Sequence, residues 1–430
     1  VVPIDLGPGG TYRFLLSPET VRAATVEEAS SLPRRFSVSL FETLELDRGL
    51  VYEQGERHKR HKRVCIPSFE QSQSMESFVG ATRVELDALS NRFASKENET
   101  IDLYAEMRRS TLNVVLDVTF GLGSTGATAF SGADQLSQVI GEYLERIVAL
   151  ANEIPPFWQI SPRLSRNYVR VTDVLLPTLR ELVAEVIASR RIEDGKKNRA
   201  DLLGILVEQS DLDDNDIRSI LFDVVIAGSD TTASTITAAM YVLHDPQNSK
   251  WLEMARQESI ETNAGNGVAL QDIRSTMPVI VAVSREILRL YPPVPFVGRT
   301  ATKDGSLCDG KYEIKVGDTF CFSPWFLGRD PRAWENSRSG SEQFDPQRWL
   351  DDSANGGAPS TFSWLPFGAG ARGCLGTRLG LTEVVLGIAR LLNDFEFDFE
   401  TTGPLPVKYD LTLNLDDVMN CEIQSRRNRL

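Results

Sequence analysis

The stretch FSWLPFGAGARGCLG, residues 362–376, sets one cysteine among four glycines, Gly368, Gly370, Gly373 and Gly376. LGTRLGLTEVVLGIARLL follows at 375–392 with helical periodicity, so Cys374 stands just before a helix N-terminus, where unpaired N–H groups and the helix dipole favour a thiolate. The glycines free the backbone for a bulged turn and let a flat ligand approach closely. Such a turn presents a sulfur anion to a metal. An isolated cysteine in a glycine-rich turn would otherwise read as a buried structural thiol, and the residues around it decide between the two.

Composition bounds the rest. The chain has 430 residues, 41% of them hydrophobic, and a formal net charge of -14, which argues against nucleic acid as a partner. The local exception is the basic block GERHKRHKR at 55–63. Five scattered cysteines, Cys65, Cys308, Cys321, Cys374 and Cys421, contain no C-x-x-C and indicate neither a disulfide framework nor a zinc site. They fit a reducing compartment, the cytosol or the cytosolic face of a membrane. Three histidines, His58, His61 and His244, are too dispersed for the usual di-His metal site, so a thiolate is the better metal ligand. The most apolar long segment, 217–243, carries Arg218, Asp223 and Asp230 and reads as a buried helix, not a membrane span. The chain begins at Val1, so a preceding anchor or targeting segment is not excluded.

Helical periodicity runs through 68–94, 101–120, 134–153, 168–191, 214–243 and 277–290, while alternation marks strands at 311–322, with a Gly317-Asp318 turn, at 395–399 and at 407–415; TYRFLL at 11–16 also looks like a strand. The fold class is mainly α with small β-sheets. Loops are expected at 193–200, 262–267 and 351–360, none long enough for an inter-domain linker, so a single domain is expected.

Phe367, Gly370, Arg372, Cys374 and Gly376 fit F-x-x-G-x-R-x-C-x-G, which resembles the haem-binding loop of the cytochrome P450 family. Further resemblances come in the family's order. Glu286 and Arg289 in SREILRLYPP fit its E-x-x-R, where side chains one turn apart can pair, and FDPQRW supplies Arg348 as a third member. AGSDTT at 227–232 resembles the oxygen-binding helix: Ala227 and Gly228 leave room for a ligand, and the Thr231 hydroxyl can bond the carbonyl four residues back. Arg299 in PPVPFVGRT aligns with a family arginine that pairs with a haem propionate. Two positions depart from the pattern. Where the family often has W-x-x-x-R or H-x-x-x-R on the helix crossing a propionate, this chain has His58 and Lys62, and FLGRDPRAW has Gly328 in place of a histidine.

The resemblance implies the triangular, single-domain P450 fold with haem b (iron protoporphyrin IX) on Cys374, cradled by Phe367, Gly368 and Gly376. It implies a monooxygenase in which the thiolate favours cleavage of the O–O bond and Asp230 with Thr231 handles protons. No G-x-G-x-x-G follows a strand, so electrons must come from NAD(P)H through a separate flavoprotein reductase or ferredoxin. The basic block at 57–63, including Lys59 and Arg60, is its candidate docking patch. The implied pocket walls place Ile226, Val294, Phe296, Val297 and Leu413 against a hydrophobic small molecule. Asp223, two turns before Asp230 on one helix face, reads first as a surface or helix-paired aspartate and, as the alternative, as an anchor for an amine or a hydroxyl. The competing readings are a haem-thiolate isomerase, dehydratase or peroxygenase that needs no redox partner, and a non-catalytic haem sensor. The Asp230–Thr231 pair speaks against both.

Overall fold

A computed structural model of the chain describes residues 1–5, 11–35, 42–44, 48–121, 133–151, 153, 157–192, 201–334, 339–350, 361–401, 403–409, 412–415 and 419–426; the loops expected at 193–200 and 351–360 lie outside them. Among the described residues the longer helices are α1 (Gly55–Glu70), α2 (Ser72–Ala94), α3 (Leu103–Phe120), α4 (Ala133–Ala151), α5 (Leu176–Ile192), α6 (Asp214–His244), α7 (Ser249–Glu261), α8 (Pro278–Leu290) and α9 (Thr377–Asp394). Their ends follow local chemistry. Asp102 accepts from the Ala105 N–H to start α3, and Gly121 in left-handed backbone, φ 66°, closes it. Asp213 caps α6 through the Asp216 N–H, and Asp245 ends it just before Pro246. Pro278 opens α8, where its missing N–H costs nothing.

Helix α6 has 31 residues and so spans about 46 Å. Every residue from Thr232 to Leu243 is buried, so this half is sheathed on all sides. Helices α3, α8 and α9 pack against it.

The strands are β1 (Val2–Asp5), β2 (Thr11–Leu15), β3 (Arg34–Arg35), β4 (Thr100–Asp102), β5 (Val297–Thr300), β6 (Gly305–Leu307), β7 (Tyr312–Ile314), β8 (Thr319–Phe322), β9 (Phe395–Phe399), β10 (Val407–Tyr409), β11 (Leu413–Leu415) and β12 (Asn420–Ser425). One five-stranded sheet has the order β1-β2-β8-β5-β3; β4-β12-β9 form a second, and β6-β7 and β10-β11 are two-stranded. The strand signal at 311–322 therefore divides: β7 pairs with β6, whereas β8 lies parallel to β2 and antiparallel to β5. The signal at 407–415 is a hairpin, and 395–399 is a strand as read.

Two apolar clusters result, a large helical one and a smaller one around β2 and β8. Leu365 belongs to the sheet cluster and Leu379 to the helical one, so the segment bearing Cys374 bridges the two.

Candidate active site

Three backbone hydrogen bonds shape the cysteine loop: Gly368 N–H to the Leu365 carbonyl (3.0 Å), Gly373 N–H to Gly370 (2.9 Å) and Cys374 N–H to Phe367 (2.9 Å). Gly368 and Gly370 both have φ of 67°, open to glycine without strain, and a Cβ on Gly370 would strike the Thr25 carbonyl. The Phe367 ring packs edge-on against Trp364. Cys374 lines open space, yet protein closes around its sulfur enough that burial pushes the thiol up. The Gly376 N–H, the Arg35 charge, the Thr377 hydroxyl and the Lys62 charge all pull the other way. Burial thus opposes the thiolate that the helix end, Arg35 and Lys62 favour.

Those cations converge. The register of β3 on β5 sets Arg35 opposite Arg299. Arg299 is 3% exposed and donates only to the neighbouring Gly298 carbonyl (2.9 Å); burial, then the charges of Arg35 and Arg372, pull it down to about 9. Arg372 is lowered to about 10, chiefly by burial; its Nη2 meets Gln54 Oε1 at 2.9 Å, while its Nη1 is buried without a partner. His58, also buried, is pulled down to about 3, first by burial and then by Arg372, Lys62 and Arg35, so its ring is neutral. Two buried arginines, Arg299 and Arg372, and the half-buried Arg35 crowd together here and, among the described residues, hydrogen-bond only carbonyl and amide oxygens. A ligand carrying two carboxylates fits this cluster, as haem does through its propionates.

Arg35 and Gln54 carry part of this site and were not singled out from the sequence. A two-residue strand has no periodicity to read, and only the sheet register shows that Arg35 faces Arg299. Lys62 departs from its expected place: its Nζ donates to the Ala371 carbonyl (2.7 Å) and the Gly373 carbonyl (3.4 Å) of the cysteine loop.

On α6, Ala227 is exposed although Val225 and Ser229 beside it are buried, which marks a local opening in the interior. Thr231 Oγ1 donates to the Ala227 carbonyl at 2.7 Å, the bond expected from the sequence. Asp230 accepts from Tyr104 Oη (3.0 Å) and Thr412 Oγ1 (2.9 Å) and pairs with Arg108 Nε (3.2 Å). Gly228 serves packing instead of ligand room, since a Cβ there would come within 2.9 Å of Val115 Cγ2 on α3. Asp223 is likewise not a free anchor. It is 4% exposed, accepts from the Val51 N–H at 2.6 Å, and abuts Gly49, so it straps the 48–54 segment onto α6.

Of the expected pocket wall, Ile226 and Val297 are half-buried, Val294 is exposed, and Leu413 is buried with its N–H on the Pro293 carbonyl (2.7 Å). Phe296 stands edge-on to Phe326 and Tyr409, both more than half exposed, so it belongs to an outer aromatic edge. The charge network forms as expected. Arg289 meets both Glu286 oxygens (2.7 and 2.8 Å), Arg348 Nε lies 3.4 Å from Glu286, and all three side chains are buried. Gly328 is required there, because a Cβ would strike the Arg289 carbonyl. The basic block is mostly consumed internally. Arg57 and Arg60 pair with buried Asp216, Lys59 pairs with Glu56, and Lys62 holds the cysteine loop, which leaves Lys59 and Arg63 exposed.

A cysteine presented by a left-handed glycine turn, with buried cations nearby and a long helix whose threonine bonds back to the Ala227 carbonyl, defines a haem-thiolate protein. The family model for Cytochrome P450 matches residues 4–416, and the chain belongs to the cytochrome P450 family. It is 28% identical over 351 residues to (+)-menthofuran synthase of Mentha piperita, covering 80% of this chain and 68% of that protein. It is also 28% identical over 384 residues to Protein LUTEIN DEFICIENT 5, chloroplastic, of Arabidopsis thaliana, covering 84% and 61%. The chain thus spans about two thirds of the length of these relatives. Among solved structures, a cytochrome P450DA haem domain matches with a TM-score of 0.79 over 97% of this chain and 88% of that one, at 23% identity, which is a likeness of fold. Membership makes the chain a haem-binding oxidoreductase.

Proposed function

We propose that the chain is a single-domain monooxygenase that inserts one atom of O2 into a hydrophobic organic substrate, by hydroxylation or epoxidation, with electrons from NAD(P)H through a separate reductase or ferredoxin. The observation that carries this reading is the Asp230–Thr231 pair. Asp230 is tied through Arg108 toward the half-exposed face of α3, and Thr231 has a hydroxyl already turned to the Ala227 carbonyl. Haem bound through the Cys374 sulfur supplies oxygen activation, because thiolate electron density favours O–O cleavage. Arg299, Arg372 and His58 would hold the propionates and fix the ring. Thr231 Oγ1, its own proton donated to the Ala227 carbonyl, keeps lone pairs that accept a hydrogen bond from an ordered water. Asp230, its carboxylate held by Tyr104, Arg108 and Thr412, is the group on this helix that exchanges protons with solvent. Ile226, Ala227 and Val294 exclude bulk water and bind the apolar substrate.

The test begins with hydrophobic compounds that shift the ferric haem to high spin, then counts product per NAD(P)H. Thr231→Ala should keep haem, the ferrous–CO spectrum and substrate affinity while diverting electrons to hydrogen peroxide; Asp230→Asn should slow turnover. Full coupling in Thr231→Ala, or product formed with no electron donor present, overturns the reading.

A further inference from the structure

Lys62 stands four residues after His58 on α1, one turn along, where the resemblance puts a cation for a propionate. Its ammonium instead bridges the Ala371 and Gly373 carbonyls (2.7 and 3.4 Å), and Arg35 Nη2 takes the Arg372 carbonyl between them at 2.8 Å. Three consecutive carbonyls immediately before Cys374 are thus held by two cations. The segment's other edge is pinned as well, by Gly373 N–H on Gly370 and Cys374 N–H on Phe367. A compact ammonium with three rotatable donors meets both carbonyls from a single nitrogen, whereas an arginine spans such a pair with two nitrogens of a longer, rigid fork, as Arg289 does at Ser341 and Gln343.

We propose that Lys62 is a positioning residue for the sulfur ligand, clamping residues 371–373 and setting the reduction potential of the bound iron by its charge, in place of a propionate contact. This rests on the haem-thiolate reading. The sign follows from Coulomb's law. Reduction adds an electron near Lys62, so the ammonium favours the ferrous state, and by drawing density from the loop it weakens the thiolate's donation, which acts in the same direction. Arg299, Arg372 and His58 remain to serve the propionates.

The experiment compares the parent holoprotein with Lys62→Met, close in length and neutral, and Lys62→Arg, which keeps the charge but on a longer planar fork that cannot seat one nitrogen between the two carbonyls. Spectroelectrochemistry should find Lys62→Met shifted about tenfold toward the ferric state, a potential lower by 59 mV for one electron. A larger share of its ferrous–CO complex should lose the red-shifted Soret band in mild denaturant. Lys62→Arg should keep the parental potential yet share the weakened band. An unchanged potential and band in Lys62→Met overturn the proposal. So does faster haem loss at unchanged potential, which marks a propionate contact. Should Lys62→Met fail to hold haem, Lys62→Arg decides alone: a parental potential with a weakened band supports the clamp, and a lowered potential sinks it. Cys374→Ser separates the underlying reading, because a red-shifted band that survives there removes the thiolate ligand however Lys62 behaves.

Discussion

Arg289→Ala measures how much of the fold depends on one buried charge. The guanidinium makes five hydrogen bonds: two to Glu286, and one each to the carbonyls of Gly328, Ser341 and Gln343. Glu286 and Arg289 side chains are both 0% exposed, so water cannot take over any of them without the fold opening. Breaking a buried pair by removing one partner costs about 3–5 kcal/mol. Here the remaining carboxylate keeps the Asp345 N–H and Trp349 Nε1 at 2.9 Å each and Arg348 at 3.4 Å, which argues for the low end. Three orphaned carbonyls add about 1 kcal/mol apiece at the low end of the cost of unsatisfied groups. The loss is therefore about 6 kcal/mol, comparable to the entire stability of many domains. Denaturant unfolding followed by tryptophan fluorescence, read beside haem content, checks this: Arg289→Ala should be largely haem-free or insoluble, and Arg289→Lys should recover part of the loss by restoring the charge. A soluble Arg289→Ala protein with a parental midpoint and full haem would refute the argument from burial.

Gly328→Ala should destabilise by about 1–3 kcal/mol, since its Cβ meets the Arg289 carbonyl inside the same network; a parental denaturation midpoint would contradict it. His244, packed between Phe397 and Phe399, is pulled from 6.5 to about 4 by burial. The unfolded chain takes its proton near pH 6.5 and the folded chain only near 4, so stability is complete above pH 6.5 and falls as pH drops through that window; His244→Phe should flatten the decline, with His58 and His61 supplying the rest. Neutralising Lys59 and Arg63 together should slow reduction by an acidic electron donor at low salt, an effect screened beyond about 10 Å at 0.1 M salt, and a rate indifferent to both changes ends the docking role. Arg60→Ala should instead lower stability, because it cuts a bond to buried Asp216.

How far the sequence carries depends on whether a position's constraint is local. The cysteine loop, the Glu286–Arg289 pair and the Thr231 back-bond are legible because each needs particular residue types within about one helical turn, or φ values only glycine reaches easily. Helix α6 is legible for the same reason, through its long apolar run and its Asp213 cap. What escapes is set by partners far along the chain. Asp223 offers no sign of its partner on its own helix and becomes a strap only when Val51 arrives from 172 positions away, with Gly49 beside it. Gly228 looks like space for a ligand until Val115 fills it. The basic block reads as one exposed patch, yet Asp216 on α6 claims two of its arginines and the cysteine loop claims its lysine. Arg35 has no local signal at all, because its role comes from the register of β3 against β5.

The charge distribution makes a last step possible. A chain with 60 acidic residues and 46 basic ones has carboxylates to spare, and elsewhere it uses them: Asp216 takes two arginines, Asp201 takes Arg190, and Glu286 takes Arg289 and Arg348. Among the described residues, no carboxylate hydrogen-bonds or pairs with Arg35, Arg299 or Arg372, which donate to Arg372 O, Gly298 O, Pro33 O and Gln54 Oε1, all neutral acceptors; burial first, and then the charge of neighbouring arginines, lowers the affinity of Arg299 and Arg372 for protons. Buried charge without a counter-charge is costly, so such a cluster is stable only if an anion from outside the chain completes it. The anion must be flat enough to reach a sulfur across a turn of glycines and must carry its charges on the side where β3 and β5 meet. Haem meets both conditions, and its two carboxylates would supply the counter-charge for buried Arg299 and Arg372, so the folded protein and its cofactor should be thermodynamically linked.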